Sequence, residues 1–252
     1  MNDEAPRDVL VLHTSGAEAV VAAAFCGRFE VEVLDARAQH ARTLLGAVEQ
    51  VLERLGIRVD DLEAIVATTG PGSFTGIRVG LATCQGLAAA RGWRVWVCDS
   101  LVPEAATHSG RLEAVAVVED ARRHEVYAAL YDVREPVPRA LVSPFCAAPH
   151  VAATRLGAAA ERRAVVALGS GASMLQPEWS ARGPLQVVAR PQRARIAASL
   201  YELARRGACV PRGAEMLTPE YLRRPDVRAP GRTQAPKTRR QPGHAPRESG
   251  EP

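Results

Sequence analysis

A glycine-rich stretch at residues 70–80, GPGSFTGIRVG, constrains the fold of this chain more than any other feature. It follows the apolar run 62–69, which predicts a buried strand, and precedes the small residues of 81–90, which predict a helix. Glycines at a strand-to-helix turn let the backbone take positive φ and approach a neighbour closely. The amides at the helix start also form a potential anion site. The motif loop therefore either holds a ligand or shapes a surface; its residues are Gly70, Pro71, Gly72, Ser73, Phe74 and Thr75.

The first half of the chain opens with three strand patterns, at 8–13, 19–25 and 29–34. A segment with apolar residues at helical spacing follows and predicts a long helix. Two further strands are predicted at 65–68 and 95–98, on either side of the glycine loop and its helix. Three successive antiparallel strands are not how a purely parallel sheet begins, because parallel neighbours need long crossover connections.

The second half repeats a strand-rich and then helical order. Strands are predicted at 112–119 and 126–133, a helix at 151–160, a buried strand at 164–168 and a helix at 196–206. Such a repeat indicates a duplicated architecture.

Three regions are predicted from these patterns. Residues 1–103 form a first lobe and residues 104–224 a second, and a helix at 191–207 could return to the first lobe. Residues 225–252 are rich in Pro, Gly and Arg, a composition that does not bury enough apolar area to fold, so this tail is predicted to be disordered.

Four stretches together resemble the TsaB family. The first is the glycine motif of 70–80, and the second is Asp-Ala-Arg with Glu-Val-Tyr inside residues 120–127. The others are His40 ahead of a leucine-rich helix and Pro-Glu-Tyr-Leu-Arg at 219–223, which resembles the closing strand of the family. The resemblance runs over about residues 9–224, and its glycine motif is specific.

This resemblance implies an α/β fold of the actin-like (ASKHA, ribonuclease H-like) type, with two lobes built as duplicated sheet-and-helix units. It also implies a non-catalytic subunit of the bacterial machinery that makes N6-threonylcarbamoyladenosine (t6A) at position 37 of tRNA. The implied partner is a TsaD-type transferase, which this subunit would bind and activate, and a TsaE-type ATPase would join the assembly. The same surface can pair with itself, so a homodimer is a further expectation.

The implied partner surface lies on the two helices of the first half. Small residues recur every four positions on the second helix, and a second small stripe runs through Ala82, Gly86 and Ala90. One stripe packs on the chain's own sheet, and two stripes suggest a second close neighbour. Gly80→Leu is therefore expected to abolish partner binding and leave the fold intact. The predicted interface residues are Leu44, Leu45, Val48, Val51, Leu52, Gly76, Gly80, Leu81, Cys84, Leu87 and Ala88.

Three further residues, Asp120, Arg122 and Glu125, are candidates for a cleft between the lobes. A functional Asp120–Arg122 pair and an ordinary surface ion pair are both consistent with this turn. His124 stands where the family usually has glycine, which predicts a different turn geometry.

Several enzyme classes are excluded by missing residues. The only lysine is Lys237, so there is no Walker P-loop, and no two histidines lie three or four residues apart as a zincin helix needs. Ser73 lacks the flanking glycines of a hydrolase nucleophile elbow. A dinucleotide site is a weaker alternative, because the third glycine of the loop comes one residue late for it.

At the end of the first strand, where TsaB sequences often keep an aspartate, this chain has His13. An imidazole does not replace a carboxylate as a ligand for a hard cation. We therefore expect no catalytic residue, cofactor or metal. The alternative from another class is a degenerate actin-fold ATPase, or a glycoprotease-like enzyme acting alone.

Composition favours a cytoplasmic protein with a basic tail. No run of about eighteen apolar residues predicts a membrane span, and the acidic first residues lack a signal-peptide pattern. The five widely spaced cysteines do not indicate a disulfide framework. Of the net charge of +4, residues 225–252 carry +3, from six basic and three acidic side chains. The tail is either a solvated extension or a weak electrostatic contact with tRNA.

Overall fold

Two β-sheets and the helices packed on them make up the computed structural model, which describes residues 5–16, 18–35, 41–179, 185–188 and 193–223. The strands of the first half are β1 (Val9–His13), β2 (Ala19–Phe25), β3 (Arg28–Leu34), β4 (Ala64–Thr68) and β5 (Arg94–Cys98). Those of the second half are β6 (Ala114–Arg122), β7 (Glu125–Asp132), β8 (Arg139–Ala147), β9 (Val165–Leu168), β10 (Leu185–Val187) and β11 (Val210–Arg212). The helices are α1 (Ala41–Leu55), α2 (Phe74–Arg91), α3 (Leu101–Ala106), α4 (Pro149–Ala160), α5 (Ala172–Leu175) and α6 (Arg193–Arg205).

The two sheets share one strand order. The first runs β11-β5-β4-β1-β2-β3 and the second β10-β9-β6-β7-β8. In each, an antiparallel meander of three strands continues into two parallel strands, and β11 adds an antiparallel edge to the first sheet. The duplicated α/β architecture of the actin-like fold predicted from the sequence is confirmed by this topology.

Each sheet is covered on both faces. Side chains of α1 and α2 such as Val51 and Cys84 pack on the outer face of the first sheet, and Leu200 of α6 packs on its inner face. The second sheet is covered by α4 and α5 on one face and by Leu101 of α3 on the other. Because α3 and α6 also contact each other, they form a helical layer between the sheets.

Most predicted elements are confirmed, and one is wrong. The five strands and two helices of the first half lie where the patterns place them. The closing segment 219–223, which the resemblance predicts as a strand, forms no strand and joins neither sheet, and the strand at the edge of the first sheet beside β5 is β11. His40 and the tail 225–252 lie outside the described residues. Within the part of the chain that the structure describes, we find no helix of the length and apolarity that crossing a bilayer requires.

Candidate functional site

The glycine loop lies at the carboxyl edge of the parallel strands of the first sheet. It leaves β4 after Thr68 and enters α2, where the Ser73 hydroxyl caps the helix by accepting from the Gly76 amide at 3.2 Å. The Gly70 amide donates to the Ser100 hydroxyl at 3.0 Å, and the Ser100 amide donates to the Gly70 carbonyl at 2.9 Å. The loop is thus tied to the end of β5.

The glycines of this loop are required by close contacts inside the chain. Gly72 has φ of 151°, and a Cβ there would overlap the carbonyl oxygen of Ser15 in the turn after β1. A Cβ on Gly70 would lie 2.5 Å from the carbonyl oxygen of Glu220. The Ser73 amide donates to the Ser15 carbonyl at 2.7 Å, and the Glu220 amide donates to the Thr69 carbonyl at 2.8 Å. Packing of the loop against the chain's own backbone accounts for glycine at positions 70 and 72 without a bound ligand.

The second sheet has an equivalent loop after β9. A Cβ on Gly169 would overlap the Val118 carbonyl oxygen in the middle of β6. The Ser170 hydroxyl accepts from the Asp120 amide at 2.8 Å and lies 2.5 Å from a carboxylate oxygen of Glu119. In both halves, therefore, the loop after the fourth strand packs against the first strand of that half or the turn directly after it.

His13, at the end of β1, is fully buried. Its Nδ1 lies 3.2 Å from the Thr68 hydroxyl oxygen. Burial, and then the positive charge of Arg193, lower the pKa of His13 to about 3. The ring is therefore neutral at physiological pH, and it is packed in the protein rather than exposed in a turn.

Arg193 begins α6 and is buried beside His13. Its Nε donates to the Glu18 carboxylate at 2.9 Å, and one of its terminal nitrogens lies 3.7 Å from a carboxylate oxygen of Glu104 on α3. The two carboxylates offset a buried charge that would be costly on its own. This network joins the turn before β2 to both helices of the layer between the sheets. The sequence patterns did not single out Arg193, because nothing local distinguishes it from the other arginines.

Asp99, next to the glycine loop, has a perturbed acidity. Burial raises the pKa of Asp99 to about 7, against the hydrogen bond that it accepts from the Leu101 amide at 2.6 Å and with help from the nearby charge of Glu220. The carboxyl group is therefore close to half-protonated at neutral pH.

The candidate cleft residues lie on the β6–β7 hairpin. Asp120 accepts from the Arg122 amide at 2.7 Å, and their side chains form an ion pair at 3.3 Å in which the Arg122 side chain is 84% exposed. Glu125 lies 3.4 Å from the Nε of Arg223. The geometry is that of a surface turn with ion pairs, and a functional role of these residues in a cleft stays a prediction.

The predicted interface residues are mostly inside the protein. Leu44, Val48, Val51 and Leu52 of α1 fill the core over the first sheet. On α2 the buried members are Gly76, Gly80, Leu81, Cys84 and Ala88, while Leu87 is half-buried. A Cβ on Gly80 would overlap the Thr14 hydroxyl, so the close neighbour of Gly80 is the chain's own β1 turn. The expectation that Gly80→Leu leaves the fold intact is therefore wrong.

A different part of the two helices faces outward. Leu45 of α1 is 43% exposed. On α2 the exposed positions include Ala82, Gly86, Ala89 and Ala90, and a Cβ on Gly86 would meet no atom of the described residues within 4 Å. We call Ala82, Gly86, Ala89 and Ala90 the small-residue face of α2. It is the second stripe seen in the sequence.

Fold and site together define an actin-like α/β protein whose glycine loops are engaged by contacts within the chain. A family model described as "TsaD: tRNA N6-adenosine threonylcarbamoyltransferase" matches residues 34–174, more than half of the chain. The chain belongs to this family, and its relatives place it in the TsaB/YeaZ group.

Three relatives illustrate the similarity. The protein is 34% identical over 94 residues to "tRNA threonylcarbamoyladenosine biosynthesis protein TsaB" of Haemophilus influenzae, covering 36% of this chain and 40% of that protein. It is 32% identical over 113 residues to "tRNA N6-adenosine threonylcarbamoyltransferase" of Agrobacterium fabrum, covering 42% of this chain and 31% of that protein. The structure titled "YeaZ from Pseudomonas aeruginosa" superposes with a TM-score of 0.71 at 28% identity, over 86% of this chain and all of that one. The matches to the two curated relatives thus span well under two thirds of their length.

Proposed function

We propose that this protein is a non-catalytic subunit of the bacterial t6A machinery, which binds a TsaD-type transferase and holds it in its active state. Membership of the family supports a role in t6A synthesis, because relatives such as the Haemophilus influenzae protein are named for threonylcarbamoyladenosine biosynthesis. The burial of His13 and the internal contacts of the glycine loop support the absence of a catalytic role. A TsaE-type ATPase joins the assembly, and the resting form of the isolated chain is a homodimer through the same surface.

The small-residue face of α2 is the observation that carries the partner role. Glycine inside a helix is unfavourable by roughly 1 kcal/mol relative to alanine. Gly76 and Gly80 are buried and Gly80 has a contact that requires glycine, but no described part of the chain comes within 4 Å of a Cβ built on Gly86. Small side chains allow the backbone of a partner helix to approach closely, and Leu45 on the adjoining α1 adds an apolar contact. We therefore place the transferase contact on this face.

Gel filtration of mixtures with the transferase of the same organism tests this assignment. Ala82→Leu and Gly86→Leu add bulk to the face and should each dissociate the complex. Ala158→Leu is the matched control, because Ala158 is also an exposed helical position, on α4 at the far side of the molecule. Complexes that survive both α2 variants would contradict the assignment. Light scattering of the same variants without the transferase reports on the homodimer.

A further inference from the structure

Two cysteines lie opposite each other on the two strands at one edge of the first sheet. There β11 runs antiparallel to β5, with Val210 opposite Val97. One step further along the same register, Cys209 stands opposite Cys98. Residues directly opposite in an antiparallel pair have Cα atoms about 4.5–5.5 Å apart. A disulfide spans Cα separations of about 4.4–6.8 Å, so this register permits one.

The side chains of the two cysteines meet on the inner face of the sheet. Both belong to the apolar cluster in which Leu200 and Leu203 of α6 cover this face. The two thiol groups are hydrogen-bonded to each other, which places the sulfur atoms in contact. A covalent bond between them therefore needs no change of strand register or of sheet face. We call Cys98 and Cys209 the thiol pair.

The fold keeps the other three cysteines of the chain away from this pair. Cys84 packs on the opposite face of the same sheet, and Cys146 lies on β8 of the second sheet. Cys26 is exposed in the turn between β2 and β3, at the other edge of the first sheet. The natural reaction partner of Cys98 is thus Cys209.

Access and acidity determine how the pair reacts. Cys98 is partly exposed, whereas Cys209 is buried. The hydrogen bond with Cys209, burial, and the negative charge of Asp99 raise the pKa of Cys98 well above its ordinary value. Since the thiolate is the form that attacks an oxidant, the first step is slow. Once Cys98 is oxidised, Cys209 already touches it, and the second step has the advantage of an intramolecular reaction.

We propose that the thiol pair is a site of reversible oxidation by peroxides, which joins β5 and β11 through a disulfide. The Cys98 sulfur attacks hydrogen peroxide, the O–O bond breaks, and water leaves as a sulfenic acid forms on Cys98. The Cys209 sulfur then attacks the oxidised sulfur, the S–O bond breaks, and a second water leaves. The two thiols thus give up two electrons and two protons, and hydrogen peroxide becomes water.

The disulfide ties the end of the chain to the first sheet. It closes a loop over the 110 residues 99–208, and a long closed loop restricts the unfolded chain strongly. The strand that it fixes, β11, has three residues and lies at the sheet edge directly after Cys209. The oxidised protein is therefore more resistant to heat than the reduced protein. This inference concerns the chain alone and is independent of the proposed transferase partner.

Peptide mapping of the folded, full-length protein tests the site. The protein is treated with excess hydrogen peroxide, its remaining thiols are blocked, and it is digested with trypsin without a reductant. Cleavage after arginine leaves Cys98 on the peptide 95–111 and Cys209 on the peptide 207–212. We expect these two peptides to be joined and a reductant to separate them. Cys209→Ala should abolish the link, whereas Cys146→Ala, at a partly exposed cysteine of the second sheet, is the matched control and should keep it.

Thermal unfolding followed by circular dichroism gives a second readout. We expect the oxidised parent to melt roughly 5–15 °C above the reduced parent, with no such rise in Cys209→Ala. Oxidation of the parent that leaves the two peptides unlinked, or that links Cys98 to Cys26 or Cys146 instead, overturns the proposal. A linked parent that melts no higher than its reduced form overturns it as well. Both readouts are obtained on the parent protein, so the result does not depend on the stability of the alanine variant.

Discussion

At the scale of single residues, contacts in the folded chain explain why glycine is required at some positions of α2 and not at others. Gly80 and Gly86 lie six positions apart on α2, and the sequence places them on different stripes without telling which stripe packs inside the chain. In the structure Gly80 touches Thr14, whereas a Cβ on Gly86 would enter open space. The two therefore differ in what an added methyl group does.

Alanine at each position gives a matched pair. Gly80→Ala should lower the free energy of unfolding by about 1–3 kcal/mol, because the new methyl group overlaps the Thr14 side chain. Gly86→Ala should raise it by up to about 1 kcal/mol through helix propensity alone. Urea denaturation at equilibrium measures both. Shifts of the same sign and size would show that the contact with Thr14 is not what requires glycine.

A buried carboxyl group makes stability depend on pH. The pKa of Asp99 is about 7 in the folded protein, well above the usual value of a carboxyl group, so the folded state keeps its proton to higher pH than the unfolded state. The contribution of Asp99 to stability is thus fully present at low pH and is lost as pH rises toward 7. Asparagine removes the titration and can still accept the hydrogen bond from Leu101.

Asp99→Asn should therefore be more stable than the parent at pH 8, and the difference should shrink as pH falls toward 4. The change is at most about 1.4 kcal/mol per pH unit. Because His13 titrates in both proteins, its opposite effect below pH 6.5 cancels in this difference. Denaturant unfolding at a series of pH values gives the comparison. A difference that does not vary with pH would mean that Asp99 titrates normally.

At the scale of elements, long helices and strands with a clear hydrophobic periodicity are predicted from the sequence, whereas short helices and strands are missed. The long helices α1 and α2 and the strands of the first half have enough residues for a pattern. In contrast, α3 has six residues and contains Pro103, and β11 has three with Pro211 at its centre. Both prolines stand where proline is tolerated, in the first turn of a helix and in an edge strand, but such short elements leave no periodic pattern in the sequence.

The closing segment shows how a correct resemblance gave a wrong element. Residues 219–223 form no strand: the Glu220 amide donates one backbone hydrogen bond to the Thr69 carbonyl, and the contacts of the Tyr221 side chain with Arg78 and Phe74 add to it. The apolar residues of α1 are a second case in which the pattern predicts the helix but not its neighbour. Their spacing does not tell whether a sheet or a partner protein covers them. In the structure the chain's own core covers Leu44, Val48, Val51, Leu52 and Leu55, whereas Leu45 is exposed.

Stacking of Phe74 on Tyr221 should contribute a measurable free energy to the attachment of the closing segment, residues 219–223. A double-mutant cycle with Phe74→Leu and Tyr221→Leu should give a coupling free energy of about 0.5–1.5 kcal/mol, the range for stacked aromatic pairs. Thermal or urea unfolding of the four proteins provides it. Strict additivity of the two single changes would mean that the contact contributes nothing.

At the scale of the whole molecule, the first sheet is not completed by the first half of the chain alone. The first sheet receives β11 at its edge and α6 on its inner face, both from the end of the chain. The lobe division near residue 103 remains a prediction, and we propose that the first lobe is completed by these late elements. The strand order was predictable as a duplicated pattern, but the return of β11 was not.

A fragment of residues 1–103 should therefore fail to fold alone, because one face of its sheet would be exposed to water where Leu200 and Leu203 now pack. Circular dichroism and NMR dispersion of the fragment, compared with those of the full chain, measure this. A well-dispersed, cooperatively melting fragment would contradict it.

The central claim is that this protein activates a transferase without catalysing the reaction itself. The most direct measurement is threonylcarbamoyl transfer to unmodified tRNA by the TsaD-type enzyme of the same organism, with this chain added in increasing amounts. We expect little product without the chain, a rise that saturates near equal amounts of the two proteins, and no product from the chain alone. Transfer at the same rate with and without the chain, or transfer by the chain alone, would contradict it.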